Sequence, residues 1–282
     1  MIINEEDLKK VIVARDPKSH KGDFGHALLI GGCYPYHGAI IMAALACVNS
    51  GAGLVTVATD KENISSLNTS LPEAMAISID DSPLLIKYIQ KADLILIGPG
   101  LAEDSRAQAV FDLTLKHLTA DKIVLIDGSA LNLLAKKETY MINVRTLILT
   151  PHQKEWERLS GLKIDQQNPV NNQKCLQVFP NKTILVAKSH QTKVLRGEDY
   201  FELKHGGPYQ SIGGMGDTLA GMIAAFALQF PKSTLFEKVA CATYLHSKIA
   251  EDLSQEHYLV RPTLISHNIP KAMQKICLSN QA

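Results

Sequence analysis

A glycine-rich segment that ends in a carboxylate is the part of this sequence best suited to chemistry. Residues 211–221 read SIGGMGDTLAG and lead into a long apolar run. Backbone without side chains approaches an anion closely, and the N-terminus of a helix attracts negative charge. The segment therefore predicts a phosphoryl-transfer site, with Asp217 as the base that takes a proton from the attacking hydroxyl. The predicted phosphate cradle consists of Gly213, Gly214, Met215 and Gly216.

A tight turn is the simpler interpretation of this segment. In that case Asp217 would cap a helix over residues 218–229 and have no other role. Three glycines within four residues are more than a cap requires, so we favour the anion site. The sequence contains no P-loop pattern G-x-x-x-x-G-K-S/T and no dinucleotide-binding pattern G-x-G-x-x-G. P-loop NTPases and Rossmann dehydrogenases are therefore disfavoured.

The bulk composition is that of a globular protein with a sizeable core. The 282 residues are 46% hydrophobic and carry a formal net charge of +1, which gives no support to nucleic-acid or membrane binding. No apolar run reaches the ~18 residues of a membrane span, and the N-terminus lacks a leader-like apolar stretch, so we expect a cytoplasmic protein. The five cysteines lie far apart at Cys33, Cys47, Cys175, Cys241 and Cys277, which predicts reduced thiols.

Short apolar runs alternate with helical patterns along the chain, which predicts a mostly parallel sheet with helices on both faces. The predicted strands are 27–30, 54–58, 94–97, 123–126, 147–150 and 183–187. The predicted helices before residue 180 are 39–49, 105–116, 130–136, 153–159 and 170–179. A short hairpin, 193–195 and 200–203, turns at residues 196–199, and helices at 218–229, 234–253 and 263–276 follow. No linker or repeat divides the chain, so we predict one domain over residues 1–282.

The candidate functional loops all follow predicted strands. Gly31-Gly32, Gly98-Pro99-Gly100, Asp127, Pro151-His152 and residues 188–192 come directly after five of them. Ligands of open α/β sheets bind at the carboxyl ends of the strands. The sequence therefore predicts one crevice that these loops share.

These residues, in this order, resemble the NAD(P)H-hydrate dehydratases, kinase-like enzymes of the ribokinase-like superfamily. The resemblance covers nearly the whole chain. It is carried by 20–25 (HKGDFG), 30–32 (IGG), 50–57 (SGAGLVTV), 97–101 (IGPGL), 150–152 (TPH) with Glu155, and 214–217 (GMGD). The family implies a three-layer αβα sandwich without a separate lid domain. Because the match begins within about the first twenty residues, the chain resembles the stand-alone bacterial form rather than one fused to an epimerase.

The resemblance implies a repair reaction on damaged nicotinamide nucleotides. Family enzymes remove water from the S form of NADHX or NADPHX, in which the nicotinamide ring has been hydrated, and restore NADH or NADPH. They are thought to phosphorylate the ring hydroxyl from ADP, after which phosphate leaves and AMP remains. The resemblance also implies ADP or ATP as the donor, Mg²⁺ and a homotetramer. The choices between ADP and ATP, and between NADHX and NADPHX, stay open.

The family's binding residues map onto both sides of the predicted crevice. The hydrated nucleotide is expected to meet Ala39, Gly100, His152 and Asp217. ADP or AMP is expected to meet Gly216 and a five-residue run. That run consists of Lys188, Ser189, His190, Gln191 and Thr192, with Ser189 in the place of a family glycine.

A secondary role, through magnesium, is implied for Asp127. Asn132 and Glu155 are weaker candidates of the same kind, for which helix capping is the alternative. Ser129 stands where the family usually has a second carboxylate.

Two rival functions remain at the level of sequence. One is a small-molecule kinase of the same superfamily, acting on a hydroxymethylpyrimidine, thiazole or pyridoxal alcohol, where transfer stops at the phosphate ester. The other is a nucleotide-binding protein without catalysis. Residues 20–25 and Pro151-His152 favour the dehydratase, and Asp217 favours an enzyme. By family analogy the C-terminal helices, with Ala240, Cys241, Ala242 and Tyr244, are a candidate subunit interface.

Overall fold

One twisted sheet organises residues 2–140 and 142–279, which the computed structural model describes. Its nine strands lie in the order β3-β2-β1-β4-β5-β6-β7-β8-β9. Strands β1 to β7 run parallel to one another, and β8 pairs antiparallel with both β7 and β9. The strands are β1 (His26–Ile30), β2 (Leu54–Thr59), β3 (Met75–Ser78), β4 (Leu94–Ile97), β5 (Ile123–Ile126), β6 (Thr146–Leu149), β7 (Ile184–Ala187), β8 (Lys193–Arg196) and β9 (Asp199–Glu202). The predicted parallel strands and the predicted hairpin are confirmed, and β3 was not predicted.

Helices cover both faces of this sheet. They are α1 (Glu5–Val11), α2 (His37–Asn49), α3 (Asn63–Ser70), α4 (Ser82–Lys91), α5 (Ser105–Lys116), α6 (Ser129–Ala135), α7 (Gln153–Ser160), α8 (Pro169–Leu176), α9 (Met215–Leu228), α10 (Leu235–Leu253) and α11 (Pro262–Ser279). Helices α1, α3 and α4 were not predicted. The sequence of α3, NISSLNTS, explains its omission, because Ser, Thr and Asn are weak helix formers.

The strand side chains alternate between two separate cores. Leu29 and Leu96 belong to the core under α2, α9 and α10, whereas Leu28 and Ile95 belong to the core under α4 to α7. A strand buried on both faces must be apolar at every position, which explains the continuous apolar runs of β4, β5 and β6. The fold is thus the predicted αβα sandwich, and all nine described strands belong to one sheet, without a separate lid.

Two helix starts differ from the prediction and bear on the site. Helix α2 begins at His37 instead of residue 39, and α9 begins at Met215 instead of residue 218. The earlier start of α9 follows from Gly214, whose left-handed φ of 97° makes it the N-cap. Asp217 consequently lies inside the first turn of α9 and is not its cap.

The four α10 residues named with the predicted subunit interface are not at the surface. Ala240, Cys241, Ala242 and Tyr244 are 0 to 2% exposed within a single chain. Helix α10 packs against α9, α11 and α1, so its apolar face is already covered. All five cysteines are free, as predicted, and three of them are buried. Among the described helices, none combines the length and apolar character that crossing a bilayer would require.

Candidate active site

The sheet brings three polar side chains together where β5, β6 and β7 end. Backbone hydrogen bonds continue past the strands, from Asp127 N to Ile97 O at 3.1 Å and from Lys188 N to Pro151 O at 3.0 Å. The side chains of Asp127, Thr150 and Lys188 therefore lie next to one another at the carboxyl edge.

Asp127 and Lys188 form an ion pair at the centre of the site. The Lys188 ammonium donates to Asp127 Oδ1 at 2.9 Å, and the Thr150 hydroxyl donates to the same oxygen at 2.6 Å. Within the described chain Oδ2 of Asp127 has no hydrogen-bond partner, so it remains available to a ligand. The role of Thr150 as a donor to Asp127 was not predicted.

Lys188 stays charged although it is largely buried. Burial lowers the pKa of this ammonium, but the negative charges of Asp127, Glu155 and Asp217 outweigh that effect and raise it. A Cβ placed on Gly216 would lie 3.2 Å from Lys188 Nζ. The ammonium thus lies against the first turn of α9, between the sheet and the glycine-rich segment.

The carboxyl group of Asp217 faces this charged cluster. Burial raises its pKa to about 6, and the charge of Asp127 adds to the rise while Lys188 opposes it. A carboxylate with a pKa near the working pH is a better base than an ordinary one and is still mostly ionised at pH 7.

The N-terminus of α9 presents backbone donors without a side-chain cap. The N-cap Gly214 makes no side-chain hydrogen bond, and the first helical bond runs from Thr218 N to Gly214 O. The N–H groups of Met215 and Gly216 therefore have no acceptor inside the helix. A Cβ on Gly213 would meet no atom within 4 Å, so the segment is open to a phosphate. Gly216 has no left-handed φ. It serves the site because the absence of a side chain lets the Lys188 ammonium approach closely.

His152 follows β6 and caps α7 with its ring. Its Nδ1 accepts from Lys154 N at 3.1 Å and from Glu155 N at 3.3 Å. A ring nitrogen that accepts carries no proton, so the neutral ring holds its proton on Nε2. Burial and the charge of Lys188 lower the pKa of His152, and its side chain is 54% exposed, as expected for a ligand contact.

Glu155 completes the capping box of α7. It accepts a hydrogen bond from His152 N at 2.7 Å, which confirms the capping alternative for this residue. Burial raises its pKa to about 7, Asp127 adds to the rise, and Lys188 opposes it. Asn132, the other weak candidate, donates to Glu103 and accepts from Arg158. Both ends of the Asn132 amide are thus engaged in protein contacts.

The predicted nucleotide-binding run forms the tight turn between β7 and β8. The Thr192 hydroxyl donates to Ser189 O at 3.0 Å, and Gln191 N donates to the Ser189 hydroxyl at 3.1 Å. Ser189 has no left-handed φ, so serine fits where the family has glycine. His190 and Gln191 are exposed.

Ala39 and Gly100 touch each other on the opposite side of the crevice. Gly100 has a φ of 63°, and a Cβ there would lie 3.0 Å from Ala39 Cβ and 2.3 Å from Tyr36 O. Only glycine is compatible with this close approach. Ala39 lies in the first turn of α2, which packs against α9. The two residues therefore lie on the side of the crevice formed by β1 and β4.

One titratable neighbour of the site was missed by sequence reasoning. His246 of α10 is 4% exposed, and its Nε2 has no hydrogen-bond partner among the described residues. Burial, together with the charge of Lys188, lowers its pKa to about 4. His246 is an isolated histidine in an apolar helix, so no sequence pattern indicates that it lies near Lys188.

The motif at residues 20–25 does not reach this crevice. It forms a 3₁₀ turn, Lys21–Phe24, directly before β1 and hence at the amino edge of the sheet. Backbone bonds from Gly53 N to Phe24 O and from Leu54 N to Gly25 O tie it to the start of β2. Its contribution within this chain is to join β1 and β2.

Comparison with known proteins decides the family. The family model of the NAD(P)H-hydrate dehydratases matches residues 27–271. The chain belongs to this family. It is 51% identical over 278 residues to the ADP-dependent (S)-NAD(P)H-hydrate dehydratase of Streptococcus thermophilus, which covers 99% of this chain and 100% of that protein.

Solved structures of the family have the same fold. A ribokinase-like superfamily protein from Enterococcus faecalis is 42% identical with a TM-score of 0.91, covering 98% of this chain and 95% of the other. The ADP/ATP-dependent NAD(P)H-hydrate dehydratase of Bacillus subtilis, co-crystallised with ATP and Mg²⁺, is 28% identical with a TM-score of 0.84 and 98% coverage of both chains. A hydroxyethylthiazole kinase from Pyrococcus horikoshii is only 14% identical with a TM-score of 0.61, so the rival kinases share the fold alone.

Proposed function

We propose that this protein converts the S form of NADHX and NADPHX to NADH and NADPH at the expense of ADP, with release of AMP and phosphate. The observation that carries the proposal is the position of Asp217. Its carboxyl group, with a pKa raised to about 6, lies in the first turn of a glycine-capped helix beside the Lys188 ammonium. A base and a phosphate cradle are the two elements that phosphorylation of the ring hydroxyl requires.

The proposed reaction has two steps. In the first, Asp217 accepts the hydroxyl proton as the oxygen attacks the terminal phosphorus of ADP, and the bond from that phosphorus to AMP breaks. In the second, the lone pair of the ring nitrogen expels inorganic phosphate and leaves an iminium ring. That ring then loses a proton from the adjacent ring carbon to the departing phosphate or to water, which restores the double bond of the dihydronicotinamide. The Lys188 ammonium and the N–H groups of Met215 and Gly216 stabilise the negative charge on the transferred group.

Substrate and nucleotide meet at the centre of the crevice in this proposal. The hydrate contacts Ala39 and Gly100 on the side of β1 and β4, Asp217 at the centre, and His152 after β6, whose backbone pairs with that of Lys188. ADP contacts the turn from Lys188 through Ser189, His190 and Gln191 to Thr192, together with Gly216.

Magnesium would enter this site with the nucleotide. Among the described residues no cluster of three or more His, Cys, Asp or Glu side chains could hold a metal. Mg²⁺ usually takes one or two carboxylates and completes its shell with water and phosphate oxygens. The Oδ2 oxygen of Asp127, which has no hydrogen-bond partner among the described residues, fits that need as a single carboxylate ligand. The ion would neutralise charge on the phosphates.

The test follows the return of NADH absorbance when pure protein is mixed with the hydrate and ADP. AMP, phosphate and NADH are expected in equal amounts, whereas a kinase would accumulate a phosphate ester. Asp217→Asn is expected to lower kcat by ~10²–10⁴ while AMP binding persists. Asp199→Asn, at the exposed first residue of β9, is the matched control. A wild-type protein that makes no NADH, or an Asp217→Asn variant with normal kcat, contradicts the proposal. Running the assay with ATP determines the donor preference.

The proposal also covers the cellular location and the oligomeric state of the protein. We expect a cytoplasmic homo-oligomer, a tetramer by family analogy, whose contacts lie outside the buried face of α10. Light scattering of the purified protein measures its mass directly.

A further inference from the structure

Two tyrosines on the turn between β1 and α2 are largely exposed. Tyr34 is 79% exposed and Tyr36 is 57% exposed. Within the described chain their hydroxyl groups have no hydrogen-bond partner. The ring of Tyr34 meets the ring of His37 edge-on, at 6.3 Å between centroids. Neighbouring aromatic side chains left in solvent are typical of surfaces that bind a ligand.

The backbone that carries these rings is firmly held. Cys33 N donates to Gly100 O at 2.7 Å, and Tyr36 N donates to Cys33 O at 2.6 Å. Such a turn fixes the directions in which its side chains leave the backbone. A ligand that stacks on them therefore orders little of the protein when it binds.

A buried carboxylate anchors the same turn. Asp60, which is 4% exposed, accepts from Tyr34 N at 2.7 Å and lies 3.0 Å from His37 Nε2. Its other oxygen lies 2.8 Å from Arg106 Nη1. Burial raises the pKa of Asp60, but the bonds from His37, Tyr34 and Arg106 outweigh this and hold the pKa below its ordinary value. The anchor is therefore ionised at neutral pH.

The turn adjoins the residues proposed to meet the hydrated nucleotide. A Cβ on Gly100 would lie 3.1 Å from Tyr36 Cβ and 3.0 Å from Ala39 Cβ. A Cβ on Gly38 would meet no atom within 4 Å, so the surface next to Tyr36 is open. The turn follows β1, whereas Lys188 follows β7, and three strands, β4, β5 and β6, lie between them. The tyrosines thus lie at the end of the crevice remote from the proposed ADP site.

A dinucleotide substrate needs such a surface. When its hydrated ring reaches Asp217, its diphosphate and adenosine must lie away from the turn that holds ADP. We propose that Tyr34 and Tyr36 bind the adenosine half of the NAD(P)H hydrate by stacking on its adenine. This inference rests on the proposed function and adds to it a second base-binding subsite. Stacking needs only the π-face of the base, so neither tyrosine has to read its hydrogen-bonding edge.

The test compares two substrates that differ only by the adenylate half. One is the hydrate of NADH, and the other is the hydrate of reduced nicotinamide mononucleotide. Tyr36→Ala and Tyr34→Ala are expected to raise KM for the dinucleotide ~5- to 100-fold, with KM for the mononucleotide and for ADP unchanged. Tyr36→Phe, which keeps the ring, should restore the wild-type KM. Val178→Ala, at an exposed position before β7 on the opposite edge, is the control.

Each contrary result has its own meaning. Wild-type protein that restores neither substrate refutes the proposed function itself. With an active wild type, alanine variants that leave KM for the dinucleotide unchanged overturn the adenosine subsite alone. An equal rise for both substrates, or a rise for ADP, also overturns it. Alanine variants that change the mass of the oligomer but leave KM unchanged would assign the tyrosines to a subunit contact.

Discussion

Lys188 balances the charges of three carboxyl groups at the scale of single residues. Asp127 lies in direct contact, while Glu155 and Asp217 act on the ammonium through space. Each carboxylate favours the charged lysine, and the lysine in turn favours the ionised forms of Asp217 and Glu155. Burial acts in the opposite direction on these two carboxyl groups and outweighs the lysine, so their pKa values are raised to about 6 and about 7. The site thus has two groups that titrate near neutral pH.

The fall of kcat at low pH tests how these charges set the pKa of Asp217. Asp217 acts as a base only when ionised, so kcat should fall as the pH drops through about 6. Lys188→Met removes a charge that lowers the pKa of Asp217, so the midpoint should move to higher pH. Asp127→Asn removes a charge that raises it, so the midpoint should move to lower pH. Lys174→Met, exposed on α8, is the control. Shifts in the same direction for both variants would contradict the assignment of Asp217 as the base.

The double role of His152 calls for a substitution that separates cap from ligand contact. Asparagine is a good N-cap, so His152→Asn should keep the melting temperature while it raises KM for the hydrate. Thr192→Ala should instead weaken AMP, and Thr192→Ser should preserve it. Each lost contact is expected to cost about 0.5–1.5 kcal/mol, measurable by titration and steady-state kinetics. If both variants weakened the same ligand, the division of the crevice would be wrong.

The first turn of α9 is the element on which phosphate binding depends. We expect Gly216→Val to weaken adenine-nucleotide binding and to leave the melting temperature nearly unchanged. The reason is local, since a Cβ there would lie 3.2 Å from Lys188 Nζ and meet nothing else within 4 Å. Gly38→Ala, in the first turn of α2 and remote from the proposed ADP site, is the matched control, because its new Cβ would meet no atom within 4 Å. Calorimetry with AMP measures both, and unchanged affinity in Gly216→Val would place the cradle elsewhere.

The sequence predicted those elements that carry a strong local signal. Apolar runs such as 94–97 and 123–126 are recognisable because a parallel strand is buried on both faces. Strand β3 lies at the sheet edge with Met75 partly exposed, so it lacks that signal. Helix α4 does carry a local sequence signal, an Asp81 N-cap with a proline in the first turn. The prediction overlooked it.

The sequence predicted that the loops of the site share one crevice, but it did not predict the side-chain hydrogen bonds between them. The rule that parallel strands end at one edge was enough to bring Asp127, His152 and Lys188 together. The ion pair between Asp127 and Lys188 joins residues 61 positions apart, so no local pattern reveals it. The cap made by His152 depends on the orientation of its ring, which only the folded helix fixes.

At the scale of the whole molecule, the sandwich gathers buried charge at one edge of its sheet. Two apolar cores lie on either face, and the site lies above the edge between them. Carboxyl groups held there for catalysis cost folding free energy when they ionise, because burial disfavours the charged form. Function and stability are therefore expected to oppose each other at Asp217.

Thermal unfolding of Asp217→Asn at two pH values measures how much the ionised Asp217 carboxyl lowers stability. The ordinary pKa of 3.8 is raised to about 6 in the folded protein, so folding favours the protonated form. The stabilisation that the protonated Asp217 carboxyl gives the folded state is fully present below pH ~4 and is lost as the pH rises through about 6. At pH 8 the free energy of unfolding has fallen by about 2–3 kcal/mol on this account. The uncharged amide escapes this loss. Asp217→Asn should therefore melt several degrees above the wild type at pH 8 and close to it at pH 4. Asp199→Asn should show no such dependence. A variant that melts below the wild type at pH 8 would mean that the attraction of Lys188 and the helix N-terminus exceeds the cost of burial.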